Sequence, residues 1–79
     1  MKNNIYYAAA RDLISGTLAD CKIIAPTYAA ADKYATDFFD GVLDRYEFEI
    51  NKQEPDEDDL SLEPGVYDAP SNYAYNVFC

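Results

Sequence analysis

Two early segments of the chain consist mainly of apolar residues, and their pattern is typical of β-strands, whose side chains alternate between two faces. The first segment covers residues 5–14 and the second covers residues 21–25. Between them lies Ser15-Gly16-Thr17, whose glycine can adopt the positive φ angle that a tight turn requires. The two segments are therefore predicted to form an antiparallel β-hairpin.

Between residues 28 and 40 the apolar spacing changes to three and four residues, which predicts an amphipathic helix. Its predicted buried stripe consists of Ala31, Tyr34, Ala35 and Phe38. Pro26 and Thr27 mark its beginning, because proline disfavours helical backbone in the residue before it and a threonine hydroxyl can accept a hydrogen bond from an early helical amide. Gly41 follows the last helical residue, a position where glycine commonly ends a helix.

The clearest alternation comes after the helix, where residues 45–51 read Arg-Tyr-Glu-Phe-Glu-Ile-Asn. This pattern predicts a half-buried strand whose apolar side faces the core and whose glutamates, Glu47 and Glu49, point outward. Residues 1–52 are thus predicted to form a β-β-α-β body. The fold class is α+β, with one helix packed on an antiparallel sheet of three or four strands.

The character of the chain changes after residue 52, although its length allows a single domain at most. Residues 53–59 are polar and mostly acidic, and three prolines interrupt residues 53–70, which predicts an acidic loop over this range. Residues 71–79 are rich in tyrosine and recover a strand-like alternation, so this C-terminal segment is a candidate fourth strand.

The chain contains eight tyrosines, four phenylalanines and no tryptophan, and a body this small cannot bury all of these rings. The large residues predicted to face the core are Tyr7, Tyr34, Phe38, Tyr46, Phe48 and Ile50. Some of the others are expected on the surface, where rings can contact a partner: Tyr6, Tyr28, Tyr67, Tyr73 and Tyr75.

Negative charge is concentrated in the second part of the chain. Residues 1–53 carry six basic and eight acidic side chains, whereas residues 54–79 carry seven acidic and none that are basic. The acidic run, defined as Glu54, Asp56, Glu57, Asp58 and Asp59, places five carboxylates in six residues. In extended chain this is one charge per about 4 Å, close to the spacing of phosphates along a nucleic-acid strand, about 3.4 Å.

The net charge of −9 and the pI near 4.1 argue against direct binding to nucleic acid or to an anionic membrane, because both would repel this protein. No apolar stretch is long enough to span a bilayer or to serve as a signal segment. Cys21 falls in a predicted strand and Cys79 is the last residue, so no disulfide framework is expected. Free thiols and a cytoplasmic location are the predictions.

Metal and catalytic chemistry find little support in the residue types. The acidic run does not follow a calcium-binding loop, because a loop counted from Asp56 places Ser61 at the required glycine and Tyr67 at the required glutamate. The chain has no histidine, which removes both the usual zinc ligand and the commonest general base. Cys21 is interpreted as a buried structural thiol. We expect no cofactor, no metal and no enzymatic activity.

Three functions are compatible with these features, and the weakest is a steric inhibitor of a defence complex that anchors through its aromatic rings and uses its acidic residues only to steer association. The first is a small acidic inhibitor that imitates nucleic acid and occupies the basic groove of a nucleic-acid-binding protein. Compact acidic anti-defence proteins of phages and mobile elements, of the anti-CRISPR and anti-restriction types, share this size and charge. The second is a non-catalytic structural or adaptor module that pairs through exposed tyrosines, with a homodimer as one form, while the acidic run provides only solubility. The predicted partner-binding residues are the acidic run with Glu47, Glu49, Tyr73 and Tyr75.

Overall fold

A computed structural model describes residues 3–54, 63–70 and 72–78. Within them the chain forms strands β1 and β2, helix α1, strands β3 and β4, and the short helix α2. Their bounds are Asn4–Asp12, Leu18–Ala25, Tyr28–Asp40, Tyr46–Gln53, Gly65–Tyr67 and Tyr73–Phe78, respectively. The predicted α+β body is confirmed: one antiparallel sheet of four strands carries helix α1 on one face.

The strands lie in the order β3-β1-β2-β4, and each pairs antiparallel with its neighbours. The first hairpin is present as predicted, although β1 ends at Asp12, two residues earlier than the pattern indicated. Gly16 has a φ of 78° in the connecting turn. An added Cβ would meet no atom there, so the backbone conformation explains the glycine and steric crowding does not.

Helix α1 has the predicted bounds, and Thr27 caps it by accepting a hydrogen bond from the Ala30 amide at 3.1 Å. Its buried stripe differs from the prediction at two residues. Phe39 is fully buried together with Ala31 and Ala35, whereas Tyr34 and Phe38 are only partly buried. These three buried positions are spaced by four residues, so they lie along one face that packs on the sheet.

The C-terminal end of α1 differs from the usual glycine cap in its backbone conformation. Gly41 follows the helix as predicted, but its φ of −81° is right-handed, and its amide donates to the Phe38 carbonyl at 3.2 Å. The last turn therefore tightens without a left-handed residue. The chain then continues through Leu43, which is buried in the same core.

The core lies between α1 and the sheet. β1 contributes Tyr6, Ala8 and Ala10 to this core. Tyr6, one of the rings predicted for the surface, is therefore buried, with 3% of its surface exposed. Tyr7, which was predicted to face this core, points to the opposite face of the sheet because neighbouring strand residues alternate. Ala8 and Ala10 are small, so they leave room for α1 and its Phe39 to pack close to the strand.

The C-terminal segment corrects the prediction of a fourth strand at residues 71–79. Tyr73–Phe78 forms helix α2, and the fourth strand is Gly65–Tyr67, inside the predicted acidic loop. The residues of α2 that turn inward are Tyr73, Ala74, Val77 and Phe78, at a spacing that suits a helix. Helix α2 packs on β1 and β2 from the face opposite α1, so both faces of the sheet carry a helix.

Candidate partner-binding surface

Strand β3 forms one edge of the sheet, and this position exposes its glutamates. Among the described strands β3 pairs only with β1, and Glu47 and Glu49 are both exposed. Because the two residues are separated by one position, their side chains point to the same face, about 6.7 Å apart along the strand. This is the face opposite α1, as the alternation predicted.

The two strand glutamates have different surroundings. Glu47 lies opposite Arg11 in the register and forms a salt bridge of 2.5 Å with its guanidinium group. The same guanidinium lies 5.4 Å from the centroid of the Phe78 ring, so it also contacts helix α2. Glu49 lies opposite Ala9 and has no ion-pair partner within residues 3–54, 63–70 and 72–78. Of the two strand glutamates, Glu49 therefore presents the uncompensated negative charge within the described part of the chain.

Glu54 follows directly after β3, and its side chain is exposed. It has no salt bridge to any residue that the structure describes. The other four members of the acidic run, Asp56, Glu57, Asp58 and Asp59, lie outside the described residues. Their arrangement is therefore a prediction of the sequence alone.

The two candidate tyrosines of α2 occupy different environments. Tyr73 is half-buried, its ring meets the Tyr7 ring edge-on with centroids 5.2 Å apart, and its hydroxyl accepts a hydrogen bond from the Asn51 amide at 3.2 Å. Tyr73 thus attaches α2 to the sheet. Tyr75 is 61% exposed and points away from the sheet. Of the pair, Tyr75 is the residue whose ring a partner could contact.

Asp20 has a structural role that the sequence analysis missed. Its carboxylate accepts a hydrogen bond from the Ala74 amide at 3.0 Å, which joins β2 to α2 across 54 positions of the chain. Periodicity places Asp20 on the face of β2 opposite the core, but no local pattern reveals that a helix from the C-terminal segment covers it. Asp20 belongs to the internal packing of the protein, unlike the exposed acidic residues.

Asp12 is the second acidic residue with an internal role, and it is the buried charged residue of the described chain. One carboxylate oxygen accepts hydrogen bonds from the amides of Ile14 and Ser15, both at 2.8 Å, and the other accepts from the Asp44 amide at 3.3 Å. The hydrogen bonds from Ser15, Ile14 and Asp44 lower the pKa of Asp12 below its ordinary value of 3.8. The signal in the sequence is an aspartate directly before a turn, a position where its side chain often binds nearby amides.

Helix α1 carries a further set of exposed carboxylates, Asp32, Asp37 and Asp40. Asp40 accepts a hydrogen bond of 2.6 Å from the Tyr46 hydroxyl, which also reaches the Thr36 carbonyl at 3.3 Å. Burial, together with the hydrogen bond and the negative charge of Asp40, raises the pKa of Tyr46 to about 12. This contact links the end of α1 to the beginning of β3.

Cys21 is buried in β2 within the main core. Burial, with a smaller effect from the neighbouring Asp20 carboxylate, raises the pKa of its thiol to about 12. The thiolate is the nucleophilic form of cysteine, and at neutral pH this residue is almost entirely the thiol. Cys21 therefore packs as a small apolar side chain.

Two further properties concern the part of the chain that the structure describes. No group of three or more cysteine and carboxylate side chains in it lies close enough together to hold a metal ion. Neither of its helices has the length and apolar character needed to cross a bilayer.

Comparison with known proteins gives no match. No family model fits the chain, and no curated protein or solved structure is significantly similar to it.

Proposed function

We propose that this protein is a small acidic inhibitor that imitates nucleic acid and occupies the basic groove of a nucleic-acid-binding protein. The observation that carries the proposal is that two exposed carboxylates, Glu49 on the edge strand and Glu54 directly after it, precede the rest of the acidic run and pair with no described cation. Glu49 and Glu54 are exposed and have no ion-pair partner among the described residues, and four more carboxylates follow within five positions of Glu54.

The partner's chemistry follows from this charge. A groove that binds phosphates is lined by lysine and arginine, and a closely spaced series of carboxylates can satisfy the same cations. We propose a target in bacterial defence, such as a CRISPR effector or a restriction enzyme, because these proteins hold DNA or RNA in basic channels. The biological source would then be a phage or another mobile element, and the protein would act in the host cytoplasm.

The acidic run also has a simpler explanation, which is solubility, and the test must separate the two. The test variant is D56N/E57Q/D58N/D59N, and its matched control is D32N/D37N/D40N/D44N, which removes the same number of charges from residues exposed elsewhere. Inhibition of DNA cleavage is measured with purified CRISPR effector complexes and purified restriction endonucleases. We expect the test variant to lose inhibition by about tenfold or more and the control to stay within about threefold of the wild type.

Salt provides an independent check, because binding through charge weakens as ionic strength rises. Inhibition by the wild type should fall markedly between about 50 and 200 mM salt. Equal inhibition by the wild type and the test variant at all salt concentrations would contradict nucleic-acid mimicry.

A second candidate is the adaptor module, and the exposure of Tyr75 favours it. A ring that is 61% exposed can serve as an apolar anchor in a protein interface. Under this hypothesis Tyr75→Ala abolishes partner binding while D56N/E57Q/D58N/D59N preserves it. Tyr28→Ala is the matched control, since Tyr28 is 57% exposed on a different element.

A further inference from the structure

The outer edge of β3 presents backbone hydrogen-bonding groups that no described strand uses. The Leu13 amide donates to the Arg45 carbonyl at 2.7 Å, one position beyond the registered pair Asp12–Tyr46. Hydrogen-bonded and non-hydrogen-bonded pairs alternate in an antiparallel ladder. The odd-numbered residues of β3 therefore bind β1, and the backbone groups of the even-numbered ones point outward. These outward residues are Tyr46, Phe48, Ile50 and Lys52.

We propose that this edge binds the same edge of a second copy of the chain, so that two sheets join into one across a two-fold axis. The proposal does not depend on the proposed function. An antiparallel pair of identical strands satisfies the outward donors and acceptors of both copies, and unpaired edges readily associate in this way. β3 has eight residues, which makes it long enough for such pairing, whereas the opposite edge strand has three.

The side chains of β3 distinguish between the possible registers. Only pairings of even with even residues match the outward backbone groups, and two of these registers join seven residues of each strand. In one register Glu49 lies directly opposite Glu49 of the second copy, which like-charge repulsion disfavours. In the other, the two-fold axis passes between the two copies of Ile50.

The second register leaves no glutamate opposite another. Glu49 faces Asn51 of the second copy, and Glu47 faces Gln53. The side-chain nitrogen of Asn51 uses one N–H for Tyr73, and that of Gln53 binds the Asn51 carbonyl, so each amide keeps one N–H for a facing carboxylate. On the α1 side Ile50 meets Ile50 and Phe48 meets Lys52, where apolar and cation–ring contacts are favourable. We infer this register, with about six backbone hydrogen bonds between the copies.

The first experiment measures molecular mass by light scattering and sedimentation at increasing protein concentration. The wild type is expected to approach the mass of a dimer. Ile50→Pro removes an outward amide at the axis but no hydrogen bond to β1, and proline is tolerated on a strand edge that faces solvent. This variant is expected to be monomeric while its circular dichroism spectrum stays like that of the wild type. A wild type that is monomeric up to about 1 mM would overturn the proposal.

The charge test uses two variants at one position. Asn51→Lys places a cation opposite each Glu49 and should tighten the dimer about three- to tenfold, whereas Asn51→Glu places like charges there and should weaken it by a similar factor. Both variants lose the same hydrogen bond to Tyr73, so each controls for the other. Equal dimer affinities for the two variants would contradict pairing along β3.

The register is tested by crosslinking with dibromobimane, which joins two nearby thiols. In a Cys79→Ser background, Ile50→Cys should crosslink between copies and Glu49→Cys should not. The reverse result would exclude the inferred register. Salt separates this proposal from the proposed function, because two chains of charge −9 repel each other and screening should tighten the dimer, whereas salt weakens binding to a basic groove.

Discussion

At the scale of single residues, Asp12 shows how one carboxylate can link two segments of the chain. It accepts amide hydrogen bonds from both sides, from the turn after β1 and from the segment before β3. The sequence suggested a turn at this place but not the second contact. That contact depends on residues 32 positions apart, and local patterns carry no information about such a pair.

The pH dependence of stability should reveal the role of Asp12. A lowered pKa in the folded state means that the carboxylate contributes stability above its ordinary pKa of 3.8, and this contribution is lost as the pH falls through the lower folded value. We expect Asp12→Asn to reduce the free energy of unfolding at pH 7, measured by urea denaturation. The difference from the wild type should shrink as the pH falls from about 4 to about 2.

Asp32→Asn is the control for this experiment, because it removes one carboxylate from an exposed position of α1. It should change the free energy of unfolding by less than about 0.5 kcal/mol at pH 7. If Asp12→Asn and the wild type have the same free energy of unfolding at pH 7, the three amide hydrogen bonds to Asp12 make no net contribution to stability.

At the scale of elements, the packing of α1 on the sheet depends mainly on one ring. Phe39 is fully buried, and its ring lies between 5.4 and 5.8 Å, centroid to centroid, from those of Phe38, Tyr46 and Phe48. Periodicity predicted the position of the helix correctly but assigned Phe38 to the buried stripe. Phe38 and Phe39 are neighbouring phenylalanines, and each lies near the edge of the apolar face. The way the helix packs on the sheet, over Ala8 and Ala10 of β1, decides between them.

Replacing Phe39 should therefore cost more stability than replacing Phe38. We expect Phe39→Ala to lower the free energy of unfolding by about 3–5 kcal/mol, because it leaves a cavity in the core. Phe38→Ala should cost clearly less, since that ring is only partly buried. The measurement is chemical denaturation followed by circular dichroism. Should Phe39→Ala fail to fold, Phe39→Leu keeps most of the apolar volume and gives the same order of effects, and equal losses at the two positions would contradict this packing.

The C-terminal segment shows that the secondary structure of a short segment cannot always be predicted from its own residues. Tyr73–Phe78 fits a period of two and also a period near four, and six residues are too few to separate the periods. Contacts outside the segment select the helix: the Tyr7 ring, the Asp20 carboxylate and the Arg11 guanidinium all lie on the face of the sheet that α2 covers. A strand in this position could not make these contacts while β4 occupies the free edge of β2.

At the scale of the whole molecule, the net charge of −9 on 79 residues opposes compaction, because like charges repel in the folded state. The proposed mimicry requires this charge, so the carboxylates of the acidic run should strengthen binding to the partner while they lower the stability of the fold. D56N/E57Q/D58N/D59N removes four of the negative charges, and we expect it to raise the melting temperature while it weakens inhibition. Thermal unfolding at one fixed protein concentration measures the effect.

Added salt should act in the same direction on the wild type, because it screens the repulsion. The increase in melting temperature with salt should be smaller for the neutralised variant than for the wild type. A variant that melts at a lower temperature than the wild type would show that these four carboxylates make stabilising contacts instead of repulsive ones.

The candidate surface was predictable in part. The alternation along residues 45–51 predicted correctly that Glu47 and Glu49 are exposed, because the face on which a strand side chain lies follows from its position alone. The pairing of Glu47 with Arg11 was not predictable, since it depends on which strand lies beside β3 and in what register. The same is true of Tyr73, whose ring contacts Tyr7 across the sheet.

The sequence by itself determined the elements that have a long periodic pattern: the first hairpin, helix α1 and strand β3. It also determined the charge and the absence of histidine, which depend on composition alone. Tertiary structure decided the strand order, the burial of Phe39, the helical form of residues 73–78 and the internal use of Asp12 and Asp20. The physical reason is range: periodicity reflects neighbours within a few residues, whereas these features depend on contacts between residues far apart in the chain.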